Sequence, residues 1–145
     1  MDMVNLYYNI YIYMFIFGSK VSGQDAVKGL MYVKEPLNRY YGMLFDMSPV
    51  KKNHSMWMKN TFIPLDIIFL DENMNIVGYK ENNKPHSLKS ITINKLSRYV
   101  LEMNGGSVKL NNLNIGDKIY FFNIKYIIFF IISIILLIIY FKYFK

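Results

Sequence analysis

Residues 126–140, Tyr-Ile-Ile-Phe-Phe-Ile-Ile-Ser-Ile-Ile-Leu-Leu-Ile-Ile-Tyr, constrain this chain more than any other stretch. They are apolar apart from one serine and the two end tyrosines. A helix built from them has no polar face to turn toward water, so it cannot sit on the surface of an ordinary soluble domain. A bilayer core is spanned by about 20 apolar residues in a helix, and tyrosines suit both interfaces. From Ile119 to Phe144 the run is broken only by Asn123, Lys125 and Lys142. The stretch is read as a transmembrane helix, and residues 123–145 as that helix with a short basic tail.

The opposite end is a second apolar stretch, Leu6 to Phe17, followed by Gly18-Ser19 and Ser22-Gly23. This resembles the apolar centre and small-residue exit of a signal peptide. Asp2 and the lack of any Lys or Arg before it depart from that pattern. An uncleaved anchor and an apolar strand of the domain are the alternatives. Residues 1–23 are therefore assigned to a signal-like or anchor segment, which leaves 24–122 as the folding unit. A chain of 145 residues has room for one such domain.

The net charge of +7 does not imply nucleic acid. Residues 24–122 carry 13 Lys/Arg against 9 Asp/Glu, with no basic cluster longer than Lys51-Lys52. The other basic residues, Lys20, Lys125, Lys142 and Lys145, flank the apolar ends, as in membrane proteins. The absence of Cys excludes disulfides, thiolate nucleophiles and cysteine metal sites.

Between the ends, short strands recur about every ten residues, which predicts a mainly β domain of sandwich or barrel type. Leu65 to Leu70 reads as a strand buried on both faces and closed by the turn cluster Asp71-Glu72-Asn73. Ile76 to Tyr79 is its returning arm. Residues 80–90 have loop composition and form the longest excursion. Ser97 to Met103 is a further strand stopped by Asn104-Gly105-Gly106, and Ile115-Gly116-Asp117-Lys118 turns the chain into Ile119–Phe122. A short helix is expected near Gln24–Tyr32 and a strand at Tyr41–Met47.

Residues 56–61, Met-Trp-Met-Lys-Asn-Thr, are the most informative for function. Strand periodicity would put Trp57, Lys59 and Thr61 on one face and Asn60 on the other, with Pro64 marking a bulge. Trp57, Lys59, Asn60, Thr61, Asp66 and Glu102 are the candidate ligand-binding residues. A Lys beside a Trp with a nearby carboxylate suits an anionic group held by charge and an apolar group held by stacking. The competing reading is structural: Asn60 satisfies backbone groups freed at Pro64, and Lys59 pairs Asp66 or Glu102. His54 and His86 fall in loops and have no metal-ligand spacing, and no Gly-x-Ser-x-Gly elbow occurs, so neither a metal nor a cofactor is expected.

These residues also carry a resemblance. Trp57-Met58-Lys59-Asn60-Thr61 with Leu65-Asp66-Ile67-Ile68-Phe69 is similar to the core motif of the bacterial and archaeal family named domain of unknown function 192. Gly29-Leu30-Met31-Tyr32, Tyr41-Gly42-Met43-Leu44-Phe45, Tyr99-Val100-Leu101-Glu102 and Ile115-Gly116-Asp117 extend it in order from Val27 to Phe122. The resemblance implies the same mainly β class and no agreed activity. Two departures stand out: Val33 precedes Lys34 where an Arg commonly follows the Gly-Leu-Met-Tyr element, and the loop after residue 80 lacks the family's Pro- and Tyr-containing form.

The expected function is a membrane-tethered β domain that binds a small ligand or a membrane-protein partner at the Trp57–Asp66 face. An enzyme using Asp66 or Glu102 as general base, and a structural accessory of a membrane complex, are the alternatives. The domain is expected on the extracytoplasmic side, since Lys142 and Lys145 follow the span as cytoplasmic flanks do.

Overall fold

Strict alternation sets the first strand: Met14, Ile16 and Gly18 are buried, while Phe15 and Phe17 face outward. The computed structural model describes residues 14–143. In chain order the elements are β1 (Met14–Val21), α1 (Gly23–Lys28), β2 (Tyr41–Lys52), β3 (Leu65–Leu70) and β4 (Ile76–Asn83). They continue with β5 (Leu96–Asn104), α2 (Ser107–Leu110), β6 (Ile119–Asn123) and α3 (Ile124–Tyr143). The strands form one curled six-stranded sheet, a half-barrel, in the order β4-β3-β5-β2-β1-β6.

The sheet curls because its two edges approach each other. The amides of Ile76 and Gly116 donate to the carbonyls of Asp117 and Ile76, each at 2.8 Å, and the Ile119 amide donates to Met74 at 3.0 Å. These bonds link the start of β4 to the start of β6. All six strands contribute to the interior core, through Met14, Ile16, Leu44, Ile68, Leu70, Ile76, Leu101, Met103 and Ile119. A second cluster of Phe45, Leu65, Ile67, Phe69 and Val100 lies on the opposite face of β2, β5 and β3, beneath Leu30, Met58, Ile63 and Ile91 from the connecting segments. Strand β3 is therefore buried on both faces along its whole length, as its unbroken apolar run predicts.

The expected boundary at residue 23 is not where the sheet begins. β1 pairs in parallel with β2 on one side and with β6 on the other. The apolar residues 14–17 are thus part of a strand that joins β6 to the rest of the sheet. A Cβ at Gly18 would overlap the Gly42 carbonyl oxygen, so the small residue there serves close strand approach. Residues 1–13 of the signal-like segment lie outside the described residues.

Residues 56–61 also depart from expectation, because they are not a strand. Met56 makes a single bridge to Ile91, and Lys59-Asn60 form a turn closed by the Thr61 amide on the Met58 carbonyl at 3.1 Å. Asn60 has φ 55°, a left-handed conformation that suits this turn. α3 follows β6 without a linker and is 20 residues long, with mean hydropathy 2.7 and none of it buried. At 1.5 Å per residue it is about 30 Å long, enough to cross a bilayer core.

Candidate functional site

The outer face of the sheet is roofed by three stitched segments. Met58 donates its amide to Ser87 at 3.0 Å, His86 donates to Thr61 at 3.1 Å, and Tyr32 donates to Asn60 at 2.8 Å. The Asn60 amide group in turn donates to the Tyr32 hydroxyl at 2.9 Å. Tyr32 and Asn60 both sit at positive φ, so the motifs Gly29–Tyr32 and Trp57–Thr61 meet at two left-handed turns. Asn tolerates that conformation better than other non-glycine residues because its short side chain bonds locally.

Under this roof lies a cavity of about 30 Å³, lined by Gly29, Leu30, Phe45, Trp57, Lys59, Thr61 and Glu102 among others. Glu102 is its unusual member. β5 places it on the outer face, between Met43 of β2 and Ile67 of β3. It is only 4% exposed, and its Oε2 has no hydrogen-bond partner among the described residues. Burial pushes its carboxyl up to about 8, while the facing Leu30 amide draws it only partly back. Glu102 therefore carries a proton at neutral pH and presents a hydrogen-bond donor rather than a charge. Gly29 (φ 48°) brings the backbone against this group: a Cβ there would stand 3.0 Å from the Phe45 ring and 3.7 Å from Glu102 Oε2.

At the mouth, Trp57 is 47% exposed and the Lys59 ammonium lies 5.1 Å from its ring centroid. A cation over an indole face holds both side chains in place. Thr61 is buried, and its hydroxyl donates to the Lys59 carbonyl at 3.3 Å, which steadies the turn.

Of the six sequence-derived candidates, the fold brings Trp57, Lys59, Thr61 and Glu102 to one cavity. Asn60 is adjacent and holds Tyr32. Asp66 is elsewhere: it pairs across from Met103, on the inner face of the sheet. Its Oδ1 accepts the amides of Asn82 at 2.8 Å and Gly106 at 3.0 Å, and its Oδ2 accepts the Val108 amide at 2.8 Å. Gly105, whose amide donates to the Pro64 carbonyl at 2.8 Å, supplies the partner at the proline that Asn60 was expected to provide. The expected pairing of Lys59 with Asp66 or Glu102 does not occur; the ion pairs among the described residues join Lys20 and Arg98 to Asp46. Sequence reasoning missed Gly29, Leu30 and Phe45, although Gly29 opening a motif was the available signal.

Asn60→Ala is expected to cost about 1 kcal/mol, the penalty of a left-handed backbone for a residue with a Cβ and no local bond. Asn60→Gly should recover most of it. Urea denaturation of the three proteins checks this, and an Ala variant as stable as wild type would remove Asn60 from its structural role.

The histidines do not meet. His54 lies in a loop, as expected, but is buried there, and burial followed by the nearby Lys51 lowers its pKa. His86 lies edge-on to Phe62 at 4.6 Å. Among the described residues no three metal-ligating side chains converge.

The motif residues that build this cavity also place the chain among known proteins. The family model DUF192, described as uncharacterized ACR, matches residues 21–121. The chain belongs to the DUF192 family. Two crystal structures share the fold. One is a proposed transcription regulator from Sinorhizobium meliloti 1021, with 35% identity, TM-score 0.66, and coverage of 70% of this chain and 78% of that one. The other is a protein of unknown function from Novosphingobium aromaticivorans DSM 12444, with 31% identity, TM-score 0.65, and coverage of 70% and 71%. No curated protein matches the chain. The matched region runs from the last residue of β1 into β6, so most of β1 and the whole of α3 lie outside it.

Proposed function

We propose that this DUF192 protein is a membrane-tethered module that binds a small ligand in the cavity between Glu102 and Trp57. The single observation that carries the reading is Glu102: a carboxyl 4% exposed, with Oε2 unpartnered, on the wall of a cavity. Leaving a buried polar atom unpaired costs about 1–3 kcal/mol, a cost that a bound acceptor would relieve. The cavity is small, about 30 Å³, so it takes only the tip of a ligand. That tip is a carbonyl, hydroxyl or carboxylate oxygen able to accept from the protonated Glu102. The body of the ligand rests on the exposed face of Trp57, and any negative charge it carries meets Lys59.

The same protonation state favours binding over general-base catalysis. A base must be ionised to accept a proton, whereas Glu102 holds its own proton up to about pH 8. Asp66, the other carboxylate considered for that role, has both oxygens occupied by backbone amides.

A thermal-shift screen of small carbonyl, hydroxyl and carboxylate compounds on the full chain in detergent tests the reading. Hits should stabilise wild type, and the shift should vanish in Trp57→Ala and shrink for anionic hits in Lys59→Ala. Hits insensitive to both substitutions would assign the cavity a purely structural role.

The tether is α3, and the domain lies on the extracytoplasmic side, with Lys142 facing the cytoplasm. Because Gly18-Ser19 sits within β1, export in this reading proceeds without cleavage there. Protease added to intact cells or spheroplasts should digest the domain, and mass spectrometry of the undigested protein should find residues 14–21 retained. Full protection until lysis would reverse the orientation.

A further inference from the structure

We propose a second site: the cleft between the end of β4 and residues 84–92 binds a soluble phosphate-bearing molecule. The cleft has a volume of about 410 Å³ and is lined by Lys80, Lys84, Lys89, Ser87, Ser90 and Thr92 among others. That volume falls in the range of small-molecule sites, far above the 30 Å³ cavity beneath Trp57.

Three observations point to an anion. Lys80, Lys84 and Lys89 line the cleft with a single acidic residue, Glu81, and none of the three makes an ion pair among the described residues. What distinguishes these three lysines is that they line one cleft together. Like charges gathered in a concave surface raise the local anion concentration.

Second, the cleft is lined by Ser87, Ser90 and Thr92, hydroxyl residues with hydrogen-bonding capacity to spare. Thr92 Oγ1 is buried without a hydrogen-bond partner. The Ser87 oxygen accepts the Lys89 amide at 3.3 Å, leaving its own proton free. Ser90 shares a 2.8 Å bond with Ser55, and that pair has one proton to spare.

Third, the walls are held in place before any ligand arrives. Asp66 fixes the Asn82 amide at 2.8 Å, and the Asn83 side chain donates to the carbonyls of Leu65 at 3.0 Å and Lys80 at 2.7 Å. Met56 and Ile91 exchange two backbone bonds of 2.9 Å across the other wall. Preorganised donors lose little freedom on binding, which favours affinity. A phosphate ester, with several acceptor oxygens and up to two charges, matches lysines and hydroxyls combined better than a carboxylate does.

Calorimetric titration of inorganic pyrophosphate into the full chain in uncharged detergent tests this. Saturable binding with one site is expected, weakening as salt rises. The triple variant Lys80→Ala, Lys84→Ala, Lys89→Ala should lose at least tenfold in affinity. Thr92→Val should weaken it several-fold. Glu81→Gln should tighten it, an effect that misfolding cannot mimic. Trp57→Ala should leave it unchanged, which separates this site from the cavity above Glu102. The proposal is overturned by the absence of saturation at about 1 mM pyrophosphate, by equal binding of sulfate, or by binding that survives the triple substitution or is lost with Trp57.

Discussion

Asp66→Ala is expected to destabilise the protein by about 4 kcal/mol or more, the largest effect of any single side chain considered. Its two carboxylate oxygens accept three backbone amides, from Asn82, Gly106 and Val108. The Asn82 amide belongs to an irregular stretch of β4: between Leu65 and Ile67 of β3, the paired position moves from Asn83 to Lys80, so β4 has one residue in excess. Gly106 and Val108 belong to the start of the short α2, whose N-cap glycine brings no side-chain bond of its own. A carboxylate at residue 66 thus joins a bulge in one edge strand to the turn after β5. Hydrogen bonds to a charged group contribute about 1.5–3 kcal/mol each, and amides left unpaired in a buried place incur the full desolvation penalty. Asp66→Asn keeps one acceptor oxygen and turns an NH₂ toward a remaining amide, so about half the loss is expected. Chemical denaturation measures both. A loss under about 1 kcal/mol for the Ala variant would contradict the structural assignment and return Asp66 to the candidate functional residues.

The second large effect is a pH dependence centred on Glu102. Its carboxyl titrates near 8 in the fold, against an ordinary value of 4.5. Below pH 4.5 both folded and unfolded chains hold the proton, and the stability due to this difference is fully present. Between 4.5 and 8 the unfolded chain gives up the proton while the folded one keeps it. The folded state then binds more protons, so stability falls as pH rises, by about 1.4 kcal/mol per pH unit. Above 8 the decline stops, its whole contribution gone. Buried His54, with its lowered pKa, acts oppositely and only where an unfolded histidine would charge, below about 6.5. Glu102→Gln isolates the carboxyl, since Gln retains the shape and the neutral donor. Its stability relative to wild type should grow steadily from pH 5 to pH 8 by several kcal/mol, read from urea midpoints at each pH. A constant difference across that range would mean that Glu102 is ionised in the fold.

Much of the half-barrel was legible in the sequence because its signals are local. The apolar run Leu65–Leu70 and the cluster Asp71-Glu72-Asn73 announced a strand and its turn, and the Asp71 side chain does accept the amides of Asn73 and Asn75 at 2.8 Å. β5 and β6 lie within a residue or so of their expected positions, and α1 begins one residue before the expected helical stretch and ends within it. β1 was not legible as the central connection it is. Its partners β2 and β6 lie far along the chain, and a parallel strand flanked on both sides has the same apolar composition as a signal segment. Residues 56–61 misled for the converse reason: alternation was present, but the segment makes only the bridge Met56–Ile91 and then turns at Lys59-Asn60.

The candidate site was legible as a set of residue types but not as a geometry. Trp57, Lys59 and Thr61 were adjacent in sequence, whereas the company of Glu102 depends on the pairing of β5 with β2 and β3. The separation of Asp66 from Glu102 followed from the same register, since Ile67, not Asp66, lies beside Glu102. One residue of offset sends the two carboxyls to opposite faces. Sequence alone could not decide which of them would be left without partners.

The most direct test of the account is to observe the Glu102 carboxyl itself while the cavity is filled. Carbon-13 NMR of the glutamate carboxyl carbons, assigned with Glu102→Gln, reads both its protonation and its contacts. At pH 7 the Glu102 signal should be that of a protonated acid titrating near 8, and it should move on addition of any compound whose binding is lost in Trp57→Ala. A Glu102 that titrates near 4.5, or one unmoved by compounds that bind at Trp57, would contradict the claim that this buried acid forms the floor of a ligand site.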